Sequence, residues 1–201
     1  MLNRIHSGFS LIELIVGLAI LASLMALGLP QYATFIANSR LRATAEGITN
    51  GLNLARAEAV KRNARVELVL TDEEPIEGLV NALPASTSGF NWVVREWVPA
   101  TGAYNFIEGK VGAEGSGKSQ GTGVVIASSS ADATYDGRII FTGFGAMAIG
   151  QPISFQVTYP AAGACAAANG PLRCLNVNVS PGGQIRICDP KITDTKDTRA
   201  C

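Results

Sequence analysis

A phosphate-binding pattern is the most conspicuous chemical motif in the sequence. Residues 112–119, GAEGSGKS, fit G-x-x-x-x-G-K-[ST], in which backbone amides and a lysine cradle phosphates at the start of a helix. The chain then continues with Gly121, Gly123 and the β-branched Val124 and Val125, which do not favour a helix. The sequence therefore predicts a flexible Gly/Ser loop at this position and no nucleotide partner.

Other residues suited to acid–base, nucleophilic or metal chemistry are sparse. The single histidine, His6, lies in an N-terminal segment that we expect to be removed, which excludes a histidine triad or a histidine-containing metal site in the mature chain. Asp132 and Asp136 could act as an acid–base pair, but beside Gly137 they are typical of turns. We therefore expect no enzyme activity, no metal and no cofactor.

The composition points to a packed protein without a global electrostatic preference. Of 201 residues, 47% are apolar and only 16% are charged, which excludes a disordered chain. Basic and acidic residues number 16 each, so any attraction to nucleic acid or anionic lipid must be local. Function is expected to reside in assembly and in surfaces.

One uninterrupted apolar segment predicts a membrane anchor. Residues 9–29 contain a single charge, Glu13, and as a helix they span roughly 31 Å, the thickness of the hydrocarbon core of a bilayer. Arg4, in the short polar segment before them, favours a cytoplasmic N-terminus and an exported remainder. The segment continues through Pro30 into more helix instead of ending at a small-residue cleavage site, so we expect it to stay.

Residues 30–63 predict an amphipathic continuation of that helix, ending near Arg62. Apolar residues recur at steps of four and three and form a seam. The seam comprises Leu41, Ala45, Ile48, Leu52, Ala55 and Ala59. Between residues 40 and 65, six basic residues against two acidic ones could indicate nucleic-acid binding, but a solvated or subunit-facing side of the helix is the favoured interpretation.

After Asn63 the apolar period changes to two, which predicts strands. Residues 64–201 are therefore expected to form a β-rich head, and the whole chain an α+β fold. Trp92 and Trp97 lie on opposite faces of one predicted strand, so at least one should be in the core. The predicted strands cover residues 66–70, 90–98, 103–108, 121–127, 138–142, 153–159, 172–179 and 183–188.

The start of the apolar segment resembles the processing site of type IV pilins and type II secretion pseudopilins. The residues that carry the resemblance are Gly8-Phe9-Ser10-Leu11-Ile12-Glu13-Leu14. The resemblance implies that a prepilin peptidase of the membrane cuts between Gly8 and Phe9 and methylates the new N-terminus. Residues 1–8 would then be a cleaved leader.

Glu13 is the one charge in an otherwise apolar span. An ionised carboxylate at mid-helix in a bilayer costs roughly 2.5–3.5 kcal/mol on insertion scales and therefore needs a partner. In the resembled family that partner is the N-terminal amine of a neighbouring subunit, which implies an assembly role. The alternative is that Glu13 reaches back to the membrane interface.

Further segments resemble the GspH/FimT type of minor pilin or pseudopilin, namely residues 54–60, 66–68 and 137–141. The resemblance implies a pilin-like fold, with a long N-terminal helix on an antiparallel head. It also implies a minor subunit that helps to initiate or cap a type IV pilus, with twitching, adhesion and DNA uptake as its processes. Its partners would be other pilins or pseudopilins, in the inner membrane with a periplasmic head and outside the cell once assembled.

Two alternatives remain beside the pilus subunit: a type II secretion pseudopilin, and a DNA-binding receptor for natural transformation. DNA-binding members of the resembled group carry Gly-Arg-x-Arg, whereas this chain has Gly183-Gln184-Ile185-Arg186. Arg186 is thus a candidate DNA contact. Because one cation of the motif is missing, the resemblance implies weak DNA binding.

The four cysteines lie within the last 37 residues of a head expected to leave the cytoplasm, which predicts two disulfides. Keeping the apolar faces of 175–179 and 185–187 together across a turn at 180–182 places Cys174 opposite Cys188. This register leaves Cys165 to pair with Cys201. Sequential pairing, 165–174 and 188–201, stays open because a bulge would shift the register.

We predict that the mature protein lacks residues 1–8, because the Gly8-Phe9 junction and Glu13 together form the processing motif. Mass analysis of the N-terminal peptide from the membrane-extracted protein should find a chain that begins at methylated Phe9. A mature chain that still begins at Met1 would contradict the pilin interpretation.

Overall fold

The computed structural model describes residues 10–111 and 123–201, without the side chains of residues 27–30. The chain falls into two compact units, Met1–Ile36 and Ala37–Cys201. Helix α1, Leu11–Arg62, begins in the first unit and ends in the second. Among the described residues it is the one helix whose length and apolar composition suffice to cross a membrane.

The C-terminus of α1 lies where the sequence predicts it. Asn63 adopts a left-handed conformation, with φ of 49°. Its amide donates to the carbonyl of Val60 at 3.2 Å, and the amide of Ala64 donates to the carbonyl of Ala59 at 3.1 Å. These two bonds form a Schellman motif, which satisfies carbonyls that the end of a helix leaves unpaired. Asn63 thereby separates the helix from the first strand.

The predicted apolar seam of α1 is the part of the helix that enters the core. All six seam residues are fully buried, and Ala37 extends the seam by one step of four. They belong to one cluster of buried residues that draws on strands of both sheets in the head. The period of four and three in the sequence thus identifies the buried face correctly.

The head consists of two antiparallel sheets. In the described residues a four-stranded sheet has the order β4-β3-β1-β6, and a five-stranded sheet has the order β2-β5-β7-β8-β9. The strands are β1 Val66–Thr71, β2 Ser88–Gly89, β3 Asn91–Val98, β4 Ala103–Val111, β5 Val125–Ser130, β6 Arg138–Phe141, β7 Ile153–Thr158, β8 Leu175–Val179 and β9 Ile185–Cys188. The α+β fold class is confirmed.

Strand β5 lies further along the chain than its predicted range of 121–127. It continues through three serines to Ser130, although a run of serines is a weak strand signal. Ser128 faces inward, and its hydroxyl donates to the carbonyl of Thr87 at 3.0 Å. Because that hydroxyl is satisfied, Ser128 can be buried although it is polar.

The two tryptophans of β3 have different environments. Trp92 is 2% exposed and packs in the main core, as expected of at least one of them. A register shift against β4 between Val94 and Arg95 then changes the pairing. Beyond it, the ring of Trp97 lies 4.9 Å from the ring of Tyr104, centroid to centroid, and stays half-buried.

The second face of the four-stranded sheet holds a buried ion pair that the sequence analysis missed. Nε of Arg95 lies 2.7 Å from a carboxylate oxygen of Glu67, and both side chains are nearly fully buried. Arg95 also donates to the carbonyl of Val80 and lies 3.8 Å above the ring of Tyr104. The segment with Val80 and Leu83 covers this face, so a strand face that alternation would leave in solvent is enclosed.

The hairpin of β8 and β9 corrects the predicted register. Val177 pairs with Ile187 and Val179 with Ile185, two residues away from the predicted alignment. The amide of Ser180 donates to the carbonyl of Gln184, and Gly183 adopts a positive φ of 80°. The turn therefore has three residues, the type in which a left-handed glycine precedes the second strand. The predicted turn at 180–182 has the same length but lies one residue earlier, and it placed Gly183 in the second strand.

The disulfide pairing that we derived first is wrong, and the sequential alternative is the observed one. Cys165 is bonded to Cys174, and Cys188 to Cys201, with Cα–Cα distances of 5.4 and 5.1 Å. With the register shifted, Cys188 pairs with Asn176 in the ladder and no longer faces Cys174. Both observed disulfides close short loops, with sequence separations of 9 and 13, whereas the predicted 165–201 bond would have closed a long one.

We expect non-reducing peptide mapping of the oxidised protein to recover these two linkages. A 165–201 or 174–188 peptide would contradict the structure. Changing Cys188 and Cys201 together to serine frees a loop with a sequence separation of 13. The free energy of unfolding in urea should fall by about 2–4 kcal/mol, because the unfolded chain regains that freedom.

Candidate functional site

Glu13, the residue expected to carry assembly, lies in the first turn of α1. Gly8 and Phe9 lie outside the described residues. Ser10 and Glu13 form a reciprocal pair: the amide of Ser10 donates to a carboxylate oxygen of Glu13 at 2.9 Å, and the amide of Glu13 donates to the hydroxyl of Ser10 at 3.3 Å. This arrangement is a capping box, and it places negative charge at the positive end of the helix dipole.

The capping role of Glu13 was missed by the sequence analysis, although its signal was present. Ser10-x-x-Glu13 directly precedes an apolar run, which is the sequence signature of a capping box. Glu13 is exposed, so its carboxylate remains accessible to another cation. In this chain the carboxylate is therefore engaged with its own helix while still within reach of a partner.

The helix that follows Glu13 presents apolar side chains all round. Between Leu11 and Met25 every large apolar side chain is about half exposed or more, and nothing in the described chain covers them. Exposed apolar surface of this extent marks a contact with lipid or with another protein. A helix that is apolar all round and unburied fits a membrane span or the core of an assembly.

Several basic residues of α1 are bound within the chain itself. Glu58 lies 2.6 Å from Nε of Arg62 and 3.1 Å from Nζ of Lys61, and Arg62 also reaches Glu96 at 2.7 Å. Hydrogen bonds from Arg62 and then from Lys61 lower the pKa of Glu58. These cations are neutralised by neighbours, which weakens the nucleic-acid interpretation of this stretch.

Two further arginines of α1 are tethered to the head. Nη1 of Arg40 donates to the hydroxyl of Tyr159 at 3.0 Å, and Nε of Arg56 donates to the carbonyl of Gly145 at 3.1 Å. Arg42 lies 3.5 Å from Glu46, one helical turn away. The basic side of the helix is thus used mostly for contacts within the molecule.

Arg186, the candidate DNA contact, is exposed on the outer face of the five-stranded sheet. It completes a row of polar residues that face one another across four strands, Ser129, Ser154, Asn178 and Arg186. The row lies along a groove of about 540 Å³ that Gln184 also lines. In the described part of the chain no carboxylate forms an ion pair with Arg186.

The C-terminal tail adds little positive charge near Arg186. Arg199 binds Asp197 through Nη2 at 2.7 Å and through Nε at 3.0 Å. This hydrogen bonding lowers the pKa of Asp197 to about 2, so the carboxylate stays ionised at neutral pH and offsets the guanidinium. One free arginine in a largely uncharged groove is a poor platform for a polyanion.

The remaining sequence candidates lie either outside the described residues or in local turns of the head. The phosphate-binding pattern at 112–119 and His6 lie outside them. Asp132 accepts bonds from the hydroxyl and amide of Thr134, which lower its pKa, and Asp136 accepts from Arg138. Within 10–111 and 123–201 no cluster of three or more potential metal ligands occurs.

Two family models match the chain. The model described as Type II transport protein GspH matches residues 44–183. The model described as the prokaryotic N-terminal methylation motif matches residues 3–29, which include Gly8, Phe9 and Glu13. The GspH match begins within α1 and continues into the head, and the methylation-motif match ends in the apolar part of α1.

Individual proteins are similar to the chain as well. The fimbrial protein EcpC of Eikenella corrodens is 30% identical over 145 residues, which cover 67% of this chain and 90% of EcpC. The type IV minor pilin FimU of Pseudomonas aeruginosa aligns at 14% identity and a TM-score of 0.48, over 76% of this chain and 91% of FimU. The minor pseudopilin EpsH of the Vibrio cholerae type 2 secretion system aligns at 9% identity and a TM-score of 0.46, over 76% of this chain and 99% of EpsH.

We predict feeble binding of duplex DNA at physiological salt by a head fragment that begins at Ala37. Gln184→Arg should strengthen it and steepen the salt dependence by about 0.9 in log–log slope, because one phosphate contact is added. Arg186→Ala should remove most of what binding there is. Arg199→Ala is the matched control, since that cation is already paired with Asp197. Tight binding in a gel shift that survives Arg186→Ala would show that both strength and site are wrong.

Proposed function

The chain belongs to the GspH family of minor pilins and pseudopilins, and from that premise we propose that it helps to initiate or cap the assembly of a type IV pilus. The observation that carries the proposal is the start of α1, where exposed apolar side chains surround a single carboxylate, Glu13. Members of this family assemble with other pilin-like subunits in a filament. A helix surface of this kind is suited to packing against equivalent helices.

The proposal includes the route by which the chain reaches the filament. Prepilin peptidase would remove residues 1–8 and methylate Phe9, and residues 9–29 would hold the subunit in the inner membrane. Residues 30–63 would carry the helix into the β-rich head at 64–201, in the periplasm. Assembly would then bring the head outside the cell, where twitching, adhesion and DNA uptake take place.

Glu13 has two competing partners in this proposal. In the single chain its carboxylate caps α1 through the amide of Ser10. In the filament it would pair with the N-terminal amine of a neighbouring subunit. Losing a cap costs about 0.5–2 kcal/mol, whereas an unpaired carboxylate in an apolar environment costs roughly 2.5–3.5 kcal/mol. Pairing with an amine is therefore favoured once lipid or neighbouring helices exclude water.

Two other functions fit the same architecture. A type II secretion pseudopilin is supported by the description of the matching family model, whereas the name of the 30% identical relative, a fimbrial protein, supports the pilus. A DNA receptor is disfavoured by the single free arginine of the groove. A deletion strain scored in parallel for surface pili, protein secretion and transformation separates the three.

We predict that Glu13→Ala keeps the membrane-inserted monomer intact but excludes it from pili, because the partner of the neighbour's amine is lost. Glu13→Gln is the informative companion, since glutamine can still accept the capping bond from Ser10 but carries no charge. Both variants should fall at least about tenfold in the pilus fraction relative to the membrane fraction, measured by immunoblotting of sheared filaments.

The two variants separate charge from capping. If Glu13→Gln enters pili as well as the wild type does, assembly requires the helix cap and does not require the ion pair with the neighbouring amine. If Glu13→Ala also enters normally, the assembly role of Glu13 is wrong. Ser10→Ala removes the capping hydroxyl and leaves the charge, so it should enter pili at close to the wild-type level.

A further inference from the structure

The groove on the outer face of the five-stranded sheet is lined by polar side chains that the head itself leaves unpaired. Within 10–111 and 123–201, no hydrogen bond or ion pair engages the side chains of Ser129, Ser154, Asn176, Gln184 and Arg186, all of which line it. They come from β5, β7, β8, β9 and the turn before β9. Their donors and acceptors are therefore available to a ligand.

Residues of two turns also line the groove, and hydrogen bonds fix both turns. The hydroxyl of Ser130 donates to the carbonyl of Pro152 at 3.1 Å, which joins the end of β5 to the start of β7. The amide of Gln184 donates to the hydroxyl of Ser180 at 3.1 Å in the turn between β8 and β9. A groove that is already shaped binds a ligand without the entropic cost of ordering its walls.

Asn178 lies in the middle of the polar row and has an unmet hydrogen bond. Its register partners are Ser154 on β7 and Arg186 on β9. Its Nδ2 donates to Sγ of Cys188 at 3.3 Å, whereas its Oδ1 is buried and accepts no hydrogen bond in the described part of the chain. A buried acceptor without a donor costs free energy, which a ligand hydroxyl that donates to Oδ1 would recover.

Another described pocket lacks this property. It has a volume of about 340 Å³ and is lined by residues of α1, of the β8–β9 hairpin and of the C-terminal tail. Each arginine that lines it already forms an ion pair, namely Arg42 with Glu46, Arg173 with Asp189 and Arg199 with Asp197. A polar ligand would have to compete with these pairs, whereas the groove on the outer face offers its polar groups without such competition.

The chemistry of the groove favours a neutral ligand that is rich in hydroxyls. Serine hydroxyls and side-chain amides both donate and accept, as the hydroxyls of a sugar do. Charge does not select an ion, because the one cation of the lining, Arg186, shares the groove with the terminal carboxylate of Cys201. Ala131 and Pro152 are exposed and offer a small apolar surface to the C–H face of a sugar ring. The volume of about 540 Å³ is within the range of small-molecule sites.

We propose that this groove binds a short neutral oligosaccharide, whose hydroxyls form hydrogen bonds with Ser154, Asn178 and Gln184. The inference goes beyond the proposed function, because it requires no filament and can be measured on the single chain. No aromatic ring is among the described residues that line the groove, so stacking on a sugar ring adds no affinity. We therefore expect a Kd of about 1 mM.

The first test titrates the full-length chain, held in phosphatidylcholine nanodiscs, with chitotriose and with maltotriose, and follows saturation-transfer NMR signals of the sugar protons. The two probes separate two sources of the same chemistry, the N-acetylated amino sugars of cell-wall glycan and the plain hexoses of other polysaccharides. Binding of either sugar supports the inference and indicates its source. Binding of neither at about 10 mM overturns it.

Variants locate the site. Ser154→Ala and Gln184→Ala should each raise the Kd about threefold to tenfold, because one hydrogen bond to the sugar is lost. Asn105→Ala is the matched control, since it changes an exposed polar side chain on β4 of the other sheet and should leave the Kd unchanged. An equal Kd in all three variants and the wild type overturns the inference.

The second test separates a neutral sugar from an anion. Arg186→Gln removes the charge but keeps a hydrogen-bonding group, so the Kd for the neutral sugar should change by no more than about twofold. Trigalacturonate carries a carboxylate on each ring and should bind no more tightly than maltotriose. Tighter binding of trigalacturonate that Arg186→Gln abolishes would overturn the inference by showing an anion site.

Failure of this inference is distinguishable from failure of the proposed function. A chain that is present in pili but binds neither sugar contradicts the saccharide site alone. A chain that binds sugar but is absent from pili contradicts the proposed function alone.

Discussion

The packing of one helical seam organises the head. Each of the two sheets has a face of alternating apolar residues that must be removed from water, and the seam of α1 from Ala37 to Ala59 lies in the same buried cluster as both faces. Full burial of each leucine or isoleucine of the seam contributes roughly 1.5–3 kcal/mol. Because four of the seven residues from Ala37 to Ala59 in this seam are alanines, the backbone of α1 can lie close to the strands. The remaining contacts of the head depend on this arrangement.

The sequence could predict those features of the fold that follow from the spacing of apolar residues within one helix or strand. The step of four and three identifies every buried apolar side chain between Leu41 and Ala59, and alternation finds most of the strands. The register of β8 and β9 was missed because matching apolar faces fixes a register only to within two residues. The left-handed conformation of Gly183 selects one of the two possible registers of β8 and β9, and that register determines which cysteines can pair.

The sequence also could not predict which strand faces are covered by segments distant along the chain. Glu67 and Arg95 occupy strand positions that alternation assigns to solvent, yet the segment around Val80 and Leu83 covers them. The residues next to Glu67 in the sequence do not indicate that this segment covers it. Buried charges of this kind contribute little net stability, but loss of one partner costs several kcal/mol. Such a pair favours one arrangement of the cover over others by penalising those that leave it unpaired. In the candidate site, likewise, the capping box could be read from four residues, whereas the ion pair of Arg62 with Glu96, 34 residues further along the chain, could not.

The proposed assembly relies on two different kinds of recognition within one chain. The start of α1 offers a broad apolar surface and one charge, so it can pack against almost any helix of similar composition, and Glu13 adds only the demand for a nearby amine. A broad apolar surface discriminates poorly, because discrimination requires contacts that a wrong partner leaves unsatisfied. A minor subunit that must occupy a particular place among similar helices would therefore gain its selectivity from the head and not from the helix that inserts it.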